Sequence, residues 1–126
     1  MPSRLARLAA AALLAVGLAF PAAGAEDLKD VKAAVESGKA VLVDVREPKE
    51  WQGGHLRDAR SMPMSEFAAG RAALDTLPRD KPVYLYCAIG SRSRRVAAFL
   101  KGKGFDARAI PESYKQLLAA GFPEAR

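Results

Sequence analysis

The chain has 126 residues, 50% of them hydrophobic and 27% charged, with 20 Lys and Arg against 14 Asp and Glu. These proportions describe a globular domain and exclude low-complexity, collagen-like and multi-pass membrane classes. One cysteine and one histidine exclude an intramolecular disulfide and a cysteine-rich zinc or iron–sulfur site, and argue against any dedicated metal centre; no cofactor is expected.

Arg4 and Arg7 precede an uncharged run, Leu8 to Phe20, broken by Pro21 and followed by Ala23-Gly24-Ala25. A basic start, an apolar centre and an Ala-x-Ala end make a secretory signal peptide, with cleavage expected after Ala25. Thirteen helical residues reach about 20 Å, short of the roughly 30 Å hydrocarbon core that an uncleaved anchor would have to cross. The expectation is therefore a signal peptide over 1–25 and one domain over 26–126. Its location would be periplasmic or secreted, without stable membrane association after cleavage. Two of the 20 basic residues fall in the leader, which leaves a mild net charge of +4 with both signs interspersed. Only Arg92, Arg94 and Arg95 cluster, so no nucleic-acid track is expected.

Along the remaining chain, the apolar stripe Leu28, Val31, Ala34 and Val35 predicts a helix between Glu26 and Gly38, with Asp27 as its cap. Ala40 to Val45 reads as a strand buried on both faces. Pro48 begins a short helix over 47–52, and Ala59 to Met62 is a short strand. A helix from Ser65 is expected to turn Phe67, Ala68, Leu74 and Leu77 inward, followed by a turn over 78–82. Val83 to Cys87 is the second strong strand. Ser93 to Lys103 predicts a helix with Val96, Ala97, Phe99 and Leu100 buried. Asp106 to Ile110 is a weaker strand, and Ser113 to Ala120 the last helix. The alternation predicts an α/β fold, a central mostly parallel sheet with helices on both faces.

In an oxidising compartment a lone cysteine is either an intermolecular bridge, a reactive thiol or a small buried hydrophobe. Cys87 ends a buried strand and is followed by Ala88-Ile89-Gly90-Ser91-Arg92-Ser93 and a helix. Ligands bind at such junctions in open α/β sheets. A tight loop there turns backbone N–H groups inward, the helix adds its positive end, and Arg92 adds a fixed cation. All three favour a thiolate at Cys87.

Cys87-x-x-Gly90-x-Arg92 resembles the active-site loop of the single-domain rhodaneses. Leu42-Val43-Asp44-Val45-Arg46-Glu47, with Glu50, Trp51, Gly54-His55-Leu56, Ala59 and Pro63, is similar to that family's first signature, and Ala119-Ala120-Gly121-Phe122-Pro123 to its C-terminal one. Together with the leader, the chain looks most like the small exported bacterial rhodaneses. Glu112-Ser113, Leu117 and Arg57-Asp58 depart from the family pattern; Leu117 is expected to pack, and Arg57-Asp58 to alter the rim of the site. The resemblance implies a rhodanese-like domain in which Cys87 takes the outer sulfur of an anionic donor such as thiosulfate. Ala88, Ile89, Gly90, Ser91 and Arg92 would hold that donor. The persulfide would then pass its sulfur to cyanide or a thiol, a thioredoxin-like protein being one candidate acceptor. A non-enzymatic persulfide carrier or interaction module is the alternative. A cysteine phosphatase or arsenate reductase of the same fold would need Cys-x5-Arg, and that position is Ser93. His55 reads as a loop-locking hydrogen-bond donor, Asp44 and Arg46 as a structural ion pair, and Trp51 and Phe67 as packing residues. Arg94 and Arg95 either attract anionic donors or form a solvated helix face.

Overall fold

A computed structural model describes residues 26–126, so the signal peptide expected over 1–25 lies outside the described residues. Helix α1 (Leu28–Glu36) is capped by Asp27, whose carboxylate accepts the Lys29 N–H at 2.9 Å. It leads into β1 (Val41–Asp44), α2 (Pro48–Gln52), β2 (Ala59–Ser61), α3 (Met64–Ala68), a 3-10 turn at Leu74–Thr76, β3 (Val83–Tyr86), α4 (Ser91–Gly102), β4 (Ala107–Ala109) and α5 (Tyr114–Ala119).

The four strands form one sheet in the order β2-β1-β3-β4, and every pairing is parallel. The expected α/β architecture is thus present, with a sheet that is wholly parallel among the described strands. Period-two alternation splits its side chains between two cores. Val43, Val45, Val83, Leu85, Cys87 and Ala107 pack under α3 and α4 with Phe67, Val96, Ala97 and Leu100. Leu42, Tyr84 and Tyr86 face the other way, against Val31 of α1 and Leu117 of α5. Leu117 is fully buried, as expected of an apolar replacement at that place. Among the described residues no helix is long and apolar enough to cross a membrane.

After β1 the chain steps to one side for β2 and to the other for β3. The carboxyl ends of β1 and β3 therefore flank the point where strand order reverses, which is the ligand-binding crevice of such sheets. Backbone bonds clamp this edge: Val45 N–H donates to the Tyr86 carbonyl at 3.1 Å and Ile110 N–H to the Leu85 carbonyl at 2.8 Å. The next residue in β3's direction is Cys87.

Two expectations need correction. The helix begun near Ser65 ends at Ala68, because Gly70 takes a left-handed backbone (φ 70°) and closes the turn. Phe67 and Leu77 are buried and Leu74 is half-buried, but Ala68 faces solvent. Helix α4 starts at Ser91, two residues earlier than expected, and Phe99 is 41% exposed, lying edge-on to Phe67 at 5.9 Å rather than in the core. Leu100→Ala is therefore expected to cost about 2–5 kcal/mol of stability, the range for a cavity-forming truncation, and Phe99→Ala distinctly less. Urea unfolding of both variants measures the difference.

Candidate active site

Cys87 follows the last residue of β3, and its carbonyl accepts the Tyr114 N–H at the start of α5 at 3.0 Å. The strand and two neighbouring elements therefore fix the residue before its side chain makes any contact. Gly90 then adopts φ 91° and becomes the N-cap of α4. A side chain there would be strained by that angle, and its Cβ would stand 3.0 Å from the Pro111 carbonyl oxygen. Only glycine satisfies both conditions. The turn brings the Gly90 N–H to 2.8 Å from Cys87 Sγ, and the nearby N–H groups of Ile89 and Ser93 also favour charge on the sulfur. Ser93 is the third residue of α4, so the sulfur takes the place of a capping oxygen at the helix N-terminus.

Ser93 completes the cradle with its hydroxyl. In the thiol form the S–H donates to Ser93 Oγ at 3.6 Å, while that hydroxyl donates to the Gly90 carbonyl at 3.0 Å. A hydroxyl has one hydrogen and can turn it toward a thiolate instead. Burial pushes the Cys87 thiol up; the Ser93 N–H and hydroxyl, then the Ile89 and Gly90 N–H groups, outweigh burial and hold it below the ordinary value. An inert core cysteine in apolar surroundings would shift the other way.

Cys87 is fully buried, whereas Ile89, two residues on, is 77% exposed. Of the site residues expected from the sequence, Ala88, Ile89 and Gly90 form the loop proper, while Ser91 and Arg92 belong to the first turn of α4.

Arg92 departs most from expectation. Its guanidinium is turned to Glu50, 2.7 and 3.0 Å from the two carboxylate oxygens. It influences Cys87 through its charge and makes no hydrogen bond to the sulfur. Glu50 also accepts the Glu47 N–H at 3.0 Å, and the Arg92 hydrogen bonds above all hold its carboxyl down to about 2.

Asp44 and Arg46 form the expected structural pair. The buried Asp44 carboxylate accepts the Arg46 backbone N–H, Nε and Nη2 at 2.8, 3.0 and 2.8 Å. Nη2 also donates to the Gly54 carbonyl at 2.6 Å, and the guanidinium lies 4.1 Å over the Tyr114 ring. The pair thereby ties the α2–β2 connection to α5. His55 Nδ1 lies 3.0 Å from the Trp51 carbonyl, and its ring stacks on Trp51 at 3.4 Å; a carbonyl only accepts, so the histidine is the loop-locking donor. Ser113 caps α5 in a reciprocal pair with Gln116, which gives that departure from the family pattern a helix-starting role. Arg57 pairs with Asp58 and with Glu36. Arg57 and Asp58 precede β2 at the amino-terminal edge of the sheet, opposite Cys87, and so do not form the rim of the site.

Residues 27–120 match the rhodanese-like domain family. The chain belongs to that family. The uncharacterized protein YqhL of Bacillus subtilis is 47% identical over 66 residues, 52% of this chain and 50% of that protein, so the chain spans half of that relative's length. The thiosulfate sulfurtransferase GlpE of Pseudomonas savastanoi is 33% identical over 85 residues, 68% of this chain and 77% of that protein. The human single-domain sulfurtransferase TSTD1 superposes with a TM-score of 0.65 at 25% identity, covering 78% of this chain and 97% of that one.

Two outcomes test this rhodanese-like site. Ser93→Ala is expected to move the pH midpoint of Cys87 alkylation by iodoacetamide up toward the free-cysteine value of about 8.5; an unmoved midpoint removes Ser93 from the cradle. Because Glu50's pKa is lowered on folding, its bridge contributes fully above about pH 4.5 and is lost as pH falls toward about 2. The bridge is partly solvent-exposed, so its worth is at most about 1 kcal/mol. Unfolding midpoints of the wild type and Glu50→Gln should accordingly converge on acidification through that window.

Proposed function

We propose that the protein is a sulfurtransferase that carries sulfane sulfur as a persulfide on Cys87. The observation that supports this most is the Gly90 N–H held 2.8 Å from a buried sulfur, with the Ile89 and Ser93 N–H groups nearby favouring charge on it. Such a cradle favours an anion on sulfur, whether thiolate or the terminal sulfur of a persulfide. Family membership, and the sulfurtransferase names carried by the Pseudomonas and human proteins, support the same chemistry.

With thiosulfate as donor, the Cys87 thiolate attacks the outer sulfur. A new Sγ–S bond forms, the S–S bond of thiosulfate breaks, and sulfite leaves with its electron pair. The persulfide anion inherits the thiolate's hydrogen bonds. Cyanide or a thiolate then attacks the outer sulfur, and its product leaves as the Cys87 thiolate is restored. This is two-step covalent catalysis through one nucleophile, with no proton transfer required in the first displacement. A second cysteine beside Cys87 would divert the persulfide into a disulfide, and the chain has none.

The leader sequence supports an exported protein, processed after Ala25 and acting in the periplasm or outside the cell. In that setting the acceptor is a small thiol or a reduced thioredoxin-like protein thiol, and the donor a small sulfur oxyanion.

Intact-mass analysis after thiosulfate treatment checks the proposal. The wild type should gain about 32 Da, one sulfur atom, and Cys87→Ser should gain nothing. Cyanide should remove the added mass and release thiocyanate repeatedly. An adduct that no acceptor discharges would make the protein a carrier; the absence of any adduct would contradict sulfur transfer.

A further inference from the structure

The rhodanese-like cradle accounts for charge on the sulfur but not for the charge of the rest of the donor. The Glu50 carboxylate already occupies the Arg92 guanidinium in two hydrogen bonds. Displacing that carboxylate by a second anion exchanges one charge-assisted pair for another, so Arg92 offers little net attraction. The fully buried Cys87 leaves the bulky oxyanion end of a donor such as thiosulfate outside the loop, on its lip.

One cation stands there uncommitted. Arg94, in the first turn and a half of α4, is exposed and enters no ion pair among the described residues. Its Nη1 lies 3.8 Å from the point where a Cβ on Gly90 would sit. Gly90 is the residue whose N–H touches Cys87 Sγ. The guanidinium therefore flanks the loop that carries Cys87. Arg95, one residue on, is equally exposed, but it is turned about 100° around the helix axis.

We infer that Arg94, rather than Arg92, receives the oxyanion end of the sulfur donor, and that Glu50 sets the site's charge preference by withholding Arg92. In the first displacement the electron pair of the breaking S–S bond goes to the departing sulfite, whose oxygens lie beside Arg94. The substrate class this selects is a compact sulfane donor with an anionic head, in preference to an uncharged one.

The inference rests on sulfur transfer at Cys87, but its anion site can be tested separately. Cys87 is alkylated by iodoacetate, an anion, and by iodoacetamide, its uncharged analogue, and the ratio of the two rates is compared between variants. Arg94→Gln should lower the ratio about tenfold, the loss of one charge contact worth about 1.4 kcal/mol, and raise the half-saturating thiosulfate concentration for persulfide formation similarly. Arg95→Gln should leave the ratio within twofold of the wild type, whereas Glu50→Gln, by freeing Arg92, should raise it. An unchanged ratio in Arg94→Gln overturns the inference. So does an equal loss in Arg95→Gln, which would mean a diffuse field and no contact. If wild-type protein forms no 32 Da adduct yet the ratio falls as described, the anion site stands and sulfur transfer fails.

Discussion

The Gly90 N–H and the Ser93 hydroxyl meet the sulfur of Cys87, the Ile89 and Ser93 N–H groups reinforce them, and the rest of the domain is arranged to keep them there. The sulfur occupies the capping position of a 12-residue helix, where the unpaired amides of the first turn otherwise face water. Burial alone would keep the thiol protonated; the cradle reverses the sign of that effect. Each support has a structural origin. The left-handed angle at Gly90 turns the loop inward, the close Pro111 carbonyl forbids a side chain there, and the Tyr114 N–H holds the Cys87 carbonyl. A site built from main-chain donors loses little when surface side chains vary, and it needs no metal to stabilise charge.

Around this centre the charged groups are paired in layers. Asp44 and Arg46 lie deepest, joining the first strand to the α2–β2 connection and to Tyr114. Glu50 and Arg92 link α2 to the first turn of α4 nearer the surface. Both pairs tie segments far apart in sequence to the carboxyl edge of the sheet, so their main consequence is the fixed shape of the loop. The consequence for chemistry is a nucleophile surrounded by dipoles and committed ion pairs, with the Arg94 guanidinium, unpaired among the described residues, beside the loop.

The fold was largely legible because the signals were local. The continuous apolar runs in β1 and β3, the Asp27 cap, and the alternation of strand and helix are properties of short windows. The strand that ends in Cys87, and the amide-lined turn after it, could be read in the same way. The extent of helix α3 could not, because Leu74 and Leu77 fit its period while Gly70, ahead of both, reversed the backbone. The role of Glu50 was hidden for another reason: its partner lies 42 residues away, and in a chain this rich in both charges no pattern identifies which acid meets which base. Ser93 was visible as the start of a helix and as the place where a phosphatase would carry arginine, not as a partner of the sulfur. The signal that could have found it is a serine at the third position of a helix whose cap is a glycine without a side chain to offer. Burial of Cys87 likewise depends on Ala88 to Gly90 folding over it, which spacing alone does not reveal.

The central claim is that folding itself creates the stabilised thiolate. Ultraviolet titration of the thiolate band in native protein, repeated in denaturant, tests it most directly. The native midpoint should lie below the free-cysteine value of about 8.5 and return to it on unfolding. A native midpoint at or above the denatured one would mean that burial wins over the cradle, and the account would be wrong.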